Sequence, residues 1–277
     1  MKRGSKVLFL CVFCALVAVF LISAAALLIY YTQSQKSQST YNDLASMVEA
    51  ARPTASVIAD DVPEGSEAPT VSSPYVTVTD SQGHSREVLK EYAATYELNN
   101  HMVGWLWIDG TNINYPVVQT PDSPNYYLRR DFYGNQDTHG CIYAAEYCDV
   151  DKPSDNITIY GHRMRDGTMF AALEQYQKKS FWEQHPFIRF DTLTEHHTYQ
   201  ILYVFITESS VGEGFQYQAF VDAHEPEDFN DFTSMCKTLS LYDTGITAAP
   251  GDKLITLSTC DYSLENGRLV VVAKRID

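Results

Sequence analysis

The chain has 277 residues, of which 45% are hydrophobic, and its formal net charge is −15 at pH 7. A chain of this size can bury a hydrophobic core without help from disulfide bonds. A nucleic-acid-binding surface needs the opposite sign of charge, so the composition argues against DNA or RNA as a partner.

The first predicted element is an apolar segment behind a basic N-terminus. Lys2, Arg3 and Lys6 precede the stretch 7–31, which contains no charged side chain. At ~1.5 Å per residue, a helix of this length spans the hydrocarbon of a bilayer with some tilt. Because the cations lie before the segment, we expect the N-terminus in the cytoplasm and the remainder outside the cell. A cleaved signal peptide is the alternative, since alanines occupy 24–26, but the apolar run exceeds the usual ~7–15 residues.

The composition changes after this segment. Residues 32–85 are rich in Ser, Thr, Gln, Ala and Pro, with few aromatic residues before Tyr75. Such a segment buries too little apolar surface to offset the entropy of ordering, so a flexible extracellular tether is predicted, with at most a short helix at 42–52. The predicted domains are therefore a membrane anchor at 1–31, a tether at 32–85 and a folded domain at 86–277.

Short strand patterns fill the folded domain. Strand-like runs occur at 104–108, 113–119, 140–147, 156–160, 187–191, 198–207, 215–220, 254–260 and 268–274. So many short strands separated by turns predict a barrel or a sandwich. The apolar spacing and the capping signals predict helices at 88–101, 169–179 and 227–242.

The acidic residues and histidines show no metal-ligand spacing. Asp149, Asp151 and Asp155 lack the glycine and the closing glutamate of an EF-hand calcium loop, so a solvated acidic turn is the simpler interpretation. His196 and His197 are adjacent and would point to opposite faces of a strand. No metal site is predicted.

The folded domain contains Cys141, Cys148, Cys236 and Cys260. An extracellular location permits disulfides, and Cys141 with Cys148 is the pair to consider. The sequence does not place their Cα atoms within the ~4.4–6.8 Å that a bridge requires. We therefore expect reduced thiols.

The end of the chain carries the strongest chemical signal. Residues 254–259 alternate aliphatic with small or hydroxyl side chains and lead to Cys260, and Arg268 opens the next strand pattern. A thiol beside a fixed cation is a candidate nucleophile. Upstream, Gly161 permits a sharp exit from the strand 156–160, which presents His162 at its end.

Each of these residues also has an ordinary structural interpretation. A free cysteine such as Cys260 is more often a small buried hydrophobic residue than a nucleophile. His162 alone would be a surface imidazole at a strand end. Arg268 alone would be a strand residue paired with Asp261 or Glu265.

Taken with neighbouring motifs, these residues resemble a known family. The motifs are Thr-Leu-Ser-Thr-Cys at 256–260, Ile-Tyr-Gly-His-Arg-Met at 159–164, Asn-Tyr-Pro-Val-Val-Gln at 114–119, Tyr-Leu at 127–128, Asp-Phe at 131–132 and Gly-Thr-Met-Phe at 167–170. Their order and spacing, with Arg268 after the cysteine, resemble those of the class B sortases, which are bacterial cell-wall cysteine transpeptidases. The similarity runs from about Glu87 to Arg275.

The resemblance implies a mainly β fold. It is the eight-stranded sortase β-barrel, with an N-terminal helix and a long helix before the last two strands, here preceded by a single transmembrane helix. Residues 86–277 would form the catalytic domain.

The resemblance also implies roles for the site residues. Cys260 is the nucleophile, His162 protonates the leaving amine and acts as base in the second step, and Arg268 stabilises the tetrahedral oxyanion. Four further residues are expected to line the peptide groove: Asn114, Tyr217, Ser258 and Thr259.

The implied activity is that of a membrane-anchored transpeptidase of Gram-positive bacteria. It would cleave a C-terminal sorting signal of the Asn-Pro-x-Thr kind through a thioacyl intermediate on Cys260 and join the acyl group to a peptidoglycan amine. The implied partners are secreted proteins with a sorting signal, a cell-wall amine acceptor and the membrane. This chemistry needs no metal and no organic cofactor.

Two alternatives stay open at this point. Thr-His-Gly-Cys at 138–141 resembles the nucleophile motif of L,D-transpeptidases, although 121–125 lack the upstream histidine of that family; a papain-like thiol hydrolase falls in the same group. The other alternative is a non-catalytic, surface-tethered binding domain. The presence of Cys260, His162 and Arg268 together weighs against it.

Overall fold

The structure is a computed structural model of the chain and describes residues 2–52, 73–79, 83, 85–209 and 213–277. Contacts between Cα atoms divide the chain into two compact units, Met1–Thr40 and Tyr41–Asp277.

The N-terminal unit is the first part of a long helix, α1, which runs from Lys2 to Ala51. Among the described residues, α1 is the one helix that is long and apolar enough to cross a membrane. Its large apolar side chains between Leu8 and Tyr31 are exposed. A long exposed apolar surface of this kind is found on membrane-spanning helices and on signal sequences.

Helix α1 shows that the first part of the predicted tether is helical. The helix continues without a break through the expected start of the tether, and its side chains Tyr41, Leu44 and Val48 are buried in the core of the second unit. These residues are spaced by three and four positions, so they share one helix face. The tether prediction is wrong for 41–51 because it was based on the average composition of the segment, which is polar, and the apolar face consists of only a few residues. The remainder of the predicted tether at 53–72 lies outside the described residues.

A small hairpin also precedes the predicted start of the folded domain. Strand β1 (Tyr75–Thr79) pairs antiparallel with β2 (Ser85–Leu89), so 75–79 is a strand and not part of a tether. Helix α2 follows at Lys90–Leu98. The helix predicted at 88–101 is therefore shorter at both ends, because β2 takes Val88 and Leu89 and β3 begins at Met102.

Eight strands form the body of the second unit. They are β3 (Met102–Trp107), β4 (Asn114–Val118), β5 (Ile142–Ala144), β6 (Asn156–Tyr160), β7 (Phe187–Thr192), β8 (Thr198–Glu208), β9 (Leu254–Asp261) and β10 (Gly267–Arg275). They close into a barrel in the order β10-β8-β7-β3-β4-β5-β6-β9. The pairs β4–β5 and β6–β9 are parallel, and the other neighbours are antiparallel. The predicted eight-stranded barrel is confirmed.

Two helices lie between the strands, α3 (Lys179–Gln184) and α4 (Pro226–Leu239). Helix α4 is the long helix expected before the last two strands; it begins with Pro226 behind a capping box between Glu225 and Asp228. Its buried face packs with residues of β8 and β10 in an apolar cluster outside the main core.

Two predicted elements are 3₁₀ turns. Phe170–Gln177 is a 3₁₀ helix that leads into α3, and the strand predicted at 215–220 is a short 3₁₀ turn at Tyr217–Ala219. The aromatic residues Phe215, Tyr217 and Phe220 all enter the cluster beside α4. They do not alternate between two faces of a sheet, as a strand would require.

Candidate functional site

The barrel brings three predicted residues together at one end. Cys260 near the end of β9 lies directly opposite Arg268 near the start of β10. Directly opposite residues on antiparallel strands have their Cβ atoms ~4.5–5.5 Å apart on one face. Strand β6 runs parallel to β9 with Tyr160 opposite Ser258, so the chain just beyond β6 brings His162 level with Cys260.

Hydrogen bonds fix the exit from β6. The Gly161 amide donates to the Ser258 carbonyl at 3.2 Å, and the Thr259 hydroxyl donates to the Gly161 carbonyl at 2.8 Å. A Cβ on Gly161 would lie 2.5 Å from a methyl carbon of Ile142 and 2.7 Å from the Phe170 ring. Glycine is therefore required where the chain leaves the barrel towards His162.

Cys260 is the accessible thiol of the second unit. In the described structure all four cysteines of this unit are free; Cys141, Cys148 and Cys236 are buried, while Cys260 is partly exposed. Burial raises the pKa of Cys141 to about 12 and that of Cys148 to about 11. Because the thiolate is the reactive form, the environment of Cys141 argues against the alternative nucleophile at 138–141.

The His162 imidazole is partly exposed, and one of its two nitrogens is hydrogen-bonded. Its Nε2 lies 2.7 Å from the Leu128 carbonyl, and since a carbonyl only accepts, Nε2 carries the hydrogen. Nδ1 is then the lone-pair nitrogen. Burial lowers the pKa of His162, the Leu128 hydrogen bond opposes this, and the charges of Arg129, His139 and Arg268 lower it further. The neutral form that can accept a proton is therefore favoured.

The Arg268 guanidinium makes no ion pair among the described residues. Its Nη1 donates to the Gly267 carbonyl at 3.0 Å, and in the described part of the chain no carboxylate lies within ion-pair distance of its guanidinium. Asp261, one expected partner, instead accepts from Gln177 at 3.2 Å and lies 3.8 Å from Arg163. An unpaired, partly buried guanidinium is suited to bind a carbonyl oxygen or an oxyanion.

Three of the four predicted groove residues are buried near Cys260. Ser258 and Thr259 on β9 are buried, and the Tyr217 and Ser258 hydroxyls are 2.6 Å apart. The three residues are 1–2% exposed and so have little surface to offer a peptide. Successive residues of a strand point to opposite faces, so the Ser258 side chain lies on the same face of β9 as Cys260 and the Thr259 side chain lies on the other. Asn114 is exposed at the start of β4, at the same end of the barrel, and accepts a hydrogen bond from the Trp105 indole at 2.6 Å.

The sequence prediction missed an aromatic cluster on the two strands β5 and β6, next to β9 in the barrel. The rings of Tyr143 and Tyr160 have centroids 5.4 Å apart, and the hydroxyls of Tyr147 and Tyr160 are 3.1 Å apart. Burial and the charge of Glu146 raise the pKa of Tyr143, while the Arg268 charge acts to lower it. The tyrosines come from two strands and a loop, and their meeting depends on the barrel order.

A groove begins at the residues that directly follow His162. It has a volume of about 980 Å³ and begins at Arg163 and Met164, directly after His162, and at Tyr262, which follows β9. The Arg163 guanidinium stacks over the Tyr262 ring at 5.0 Å. The far wall is formed by the 3₁₀ helix, together with Arg165 and Lys178.

Comparison with known proteins identifies the family. The sortase domain family matches residues 106–276. Sortase B of Listeria monocytogenes is 34% identical over 193 residues, covering 69% of this chain and 76% of that protein. Sortase B of Staphylococcus aureus is 31% identical over 195 residues, covering 70% and 78%.

Solved structures agree with this. A Staphylococcus aureus sortase B–substrate complex superposes with a TM-score of 0.69 at 26% identity, covering 89% of this chain and 99% of that one. Sortase B from Bacillus anthracis in complex with AAEK1 gives a TM-score of 0.67 at 28% identity, again covering 89% and 99%. The chain therefore belongs to the sortase family, in class B, and is a cysteine transpeptidase.

Proposed function

We propose that this chain is a membrane-anchored sortase that joins secreted proteins to a peptidoglycan amine through Cys260, His162 and Arg268. The observation that carries the proposal is the pairing of Cys260 with Arg268 across β9 and β10, with His162 two residues beyond β6, the other neighbour of β9. The partners are a secreted protein with a C-terminal sorting signal of the Asn-Pro-x-Thr kind and an amine-bearing cell-wall precursor.

In the first step, the Cys260 sulfur attacks the scissile carbonyl of the sorting signal. The carbonyl π electrons move to the oxygen, and the resulting oxyanion is held by the Arg268 guanidinium. The C–N bond then breaks, and the leaving nitrogen takes a proton from Nδ1 of protonated His162. A thioester on Cys260 and a free amine result.

In the second step, the acceptor amine attacks the thioester carbonyl. His162 Nδ1 accepts the amine proton, and collapse of the tetrahedral intermediate expels the Cys260 thiolate and forms the new amide. The reaction starts from the fraction of molecules in which His162 is protonated and Cys260 is anionic, and the end of the cycle restores this state. His162 is neutral at this step because it gave its proton to the leaving amine in the first step, and its lowered pKa favours that form.

We assign the acceptor to the groove beside Arg163, Arg165, Lys178 and Tyr262. The acceptor must approach from the His162 side, because His162 takes its proton, and this groove begins directly after His162. Arg165 and Lys178 have no acidic partner among the described residues, although the whole chain has a net charge of −15. An acceptor with a negatively charged group near its amine would complement these cations. A sortase B similar to this chain has been solved in complex with triglycine.

The groove assignment can be tested with triglycine and triglycine amide, which differ in the terminal carboxylate. For Lys178→Glu we expect about a fivefold higher KM for triglycine at low ionic strength, from the usual size of a surface charge interaction, and little change for the amide. Lys179→Glu is the matched control, because Lys179 does not line the groove. Equal effects of the two variants would contradict the assignment.

Helix α1 provides the proposed anchor. Its length and exposed apolar surface support membrane insertion, and the three cations before it favour a cytoplasmic N-terminus. The second unit, with its site, would then lie on the outer face of the membrane, where secreted proteins and wall precursors meet.

The activity is tested with the full chain in detergent, a panel of sorting-signal peptides and triglycine. We expect a ligated product, detected by its mass, for a peptide of the Asn-Pro-x-Thr kind, and none with Cys260→Ala. Cys236→Ala, which removes a buried thiol, should ligate at the parent rate. Ligation by Cys260→Ala, or no ligation by the parent with any peptide, would refute the proposed function.

A further inference from the structure

A second histidine lies close behind the site, and the proposed mechanism does not use it. His139 is completely buried between two carboxylates: Nδ1 is 3.0 Å from Asp137 Oδ1, and Nε2 is 2.8 Å from Asp166 Oδ2. Carboxylates only accept, so both hydrogen bonds form together only when the imidazole is protonated. Burial acts to lower the pKa of His139, but the hydrogen bonds and charges of the two aspartates outweigh it and raise the pKa.

One of these carboxylates holds the loop that follows His162. Asp166 Oδ1 accepts hydrogen bonds from the Thr168 amide at 3.1 Å and from the Thr168 hydroxyl at 2.6 Å. The loop closes back on the site, because the Phe170 amide donates to the His162 carbonyl at 2.9 Å. The position of Asp166 therefore helps to set the backbone that carries His162.

The other carboxylate belongs to the segment that holds the hydrogen-bond acceptor of His162. The Asp137 amide donates to the Arg129 carbonyl at 3.1 Å, and the Cys141 amide donates to the Tyr127 carbonyl at 3.1 Å. These two bonds flank Leu128, whose carbonyl accepts from His162 Nε2.

The segments also approach too closely for any larger residue at 140. A Cβ on Gly140 would lie 2.5 Å from the Leu128 oxygen, and the φ of Gly140 is +63°. The Tyr41 hydroxyl of α1 donates to the Gly140 carbonyl at 2.6 Å. The backbone next to His139 is therefore packed directly against the Leu128 carbonyl.

We propose that His139 is a positioning residue for His162. Its imidazolium bonds to Asp166 in the loop after His162 and to Asp137 in the segment that fixes the Leu128 carbonyl. His139 therefore connects these two segments. This inference rests on the proposed function, because the position of His162 affects turnover only if His162 transfers protons. His139 also adds a positive charge near His162, alongside Arg129 and Arg268, while the Leu128 carbonyl is the group that opposes them.

The test compares His139→Gln with the parent. Glutamine keeps one hydrogen bond but loses the charge and the second connection, so we expect kcat to fall about ten- to a hundredfold, the range that a small misplacement of a catalytic group costs, with little change in the peptide KM. The pKa of His162, followed by NMR of its imidazole, should rise, because one of the positive charges that lowers it is gone.

The matched control is His196→Gln. His196 also contacts two carboxylates, Asp191 at 2.6 Å and Glu91 at 3.3 Å, but it lies after β7, at the barrel end opposite the site. A folded His139→Gln protein whose kcat and His162 titration match those of His196→Gln would overturn the inference.

A second variant covers the case in which His139→Gln does not fold. Asp166→Asn keeps the shape of the side chain and removes one of the two charges, and it should lower kcat in the same direction. Unchanged kcat in Asp166→Asn, with an unchanged His162 titration, would also overturn the inference. The NMR titration needs no turnover, so it tests the role of His139 separately from the proposed reaction.

Discussion

At Arg268, the role of the planar guanidinium can be tested separately from the role of its positive charge. Arg268→Lys keeps the charge but loses the planar fork that holds an oxygen from a fixed direction. We expect turnover to fall ~10²–10³-fold, the usual effect of removing an oxyanion donor, with peptide affinity little changed. Alkylation of Cys260 should persist, which shows that the site is intact.

Arg275→Lys, at the far end of β10, is the control for this change and should retain the parent rate. Parent turnover in Arg268→Lys would instead make Arg268 a structural strand residue. The oxyanion would then have to be held by backbone amides.

The buried imidazolium of His139 predicts a pH-dependent contribution to stability. Its pKa is raised in the folded state, so its stabilising effect is fully present below the unfolded value of about 6.5 and is lost as the pH rises through the folded pKa. The difference in Tm between the parent and His139→Gln should therefore be larger at pH 5.5 than at pH 9. A difference that grows with pH would show that the folded-state imidazole is neutral.

Some of the site residues were readable from the sequence and others were not. The alternation at 254–259 predicts β9 and places Cys260 near its end, and the strand at 156–160 followed by Gly161 predicts a partly exposed His162. The Leu128 carbonyl was missed because any residue type supplies a backbone oxygen. The burial of Ser258 was missed because it depends on Tyr217, which is far away in sequence.

Among the helices, the end of α1 differs most from the sequence prediction. Its residues 41–51 pack on the barrel unit, and Leu44 is completely buried in the core. A segment can look like a linker by composition and still contribute a short apolar face, because the pattern covers only about two helical turns. The 3₁₀ turn at Tyr217–Ala219 shows the converse, since aromatic residues that suggest a strand pack instead around one side of α4.

This packing predicts a difference between two apolar residues of the same helix. Leu44→Ala should destabilise the second unit by about 2–5 kcal/mol, the usual cost of truncating a buried leucine. Met47→Ala removes a side chain that is 37% exposed and should cost under ~0.5 kcal/mol. Urea denaturation of the full chain in detergent, followed by tryptophan fluorescence, measures both. Equal effects would mean that 41–51 does not pack on the barrel in solution.

The barrel as a whole explains why residues far apart in the chain lie together in the proposed site. His162, Cys260 and Arg268 meet because β6, β9 and β10 are neighbours in the closed order, although β6 and β9 are separated by β7, β8 and α4 in sequence. Motif order was sufficient to predict the fold class. The parallel pairing of β6 with β9, which sets the level of His162 against Cys260, could be taken only from the structure.

The most direct test of the account is the location of the acyl group on the enzyme. The full chain in detergent is incubated with an Asn-Pro-x-Thr peptide without an amine acceptor, quenched in acid to preserve the thioester, digested and mapped by tandem mass spectrometry. We expect the N-terminal peptide fragment on Cys260, absent in Cys260→Ala and retained in Cys141→Ala. An acyl group on Cys141, or its loss in a folded Cys141→Ala protein, would show that Cys260 is not the nucleophile.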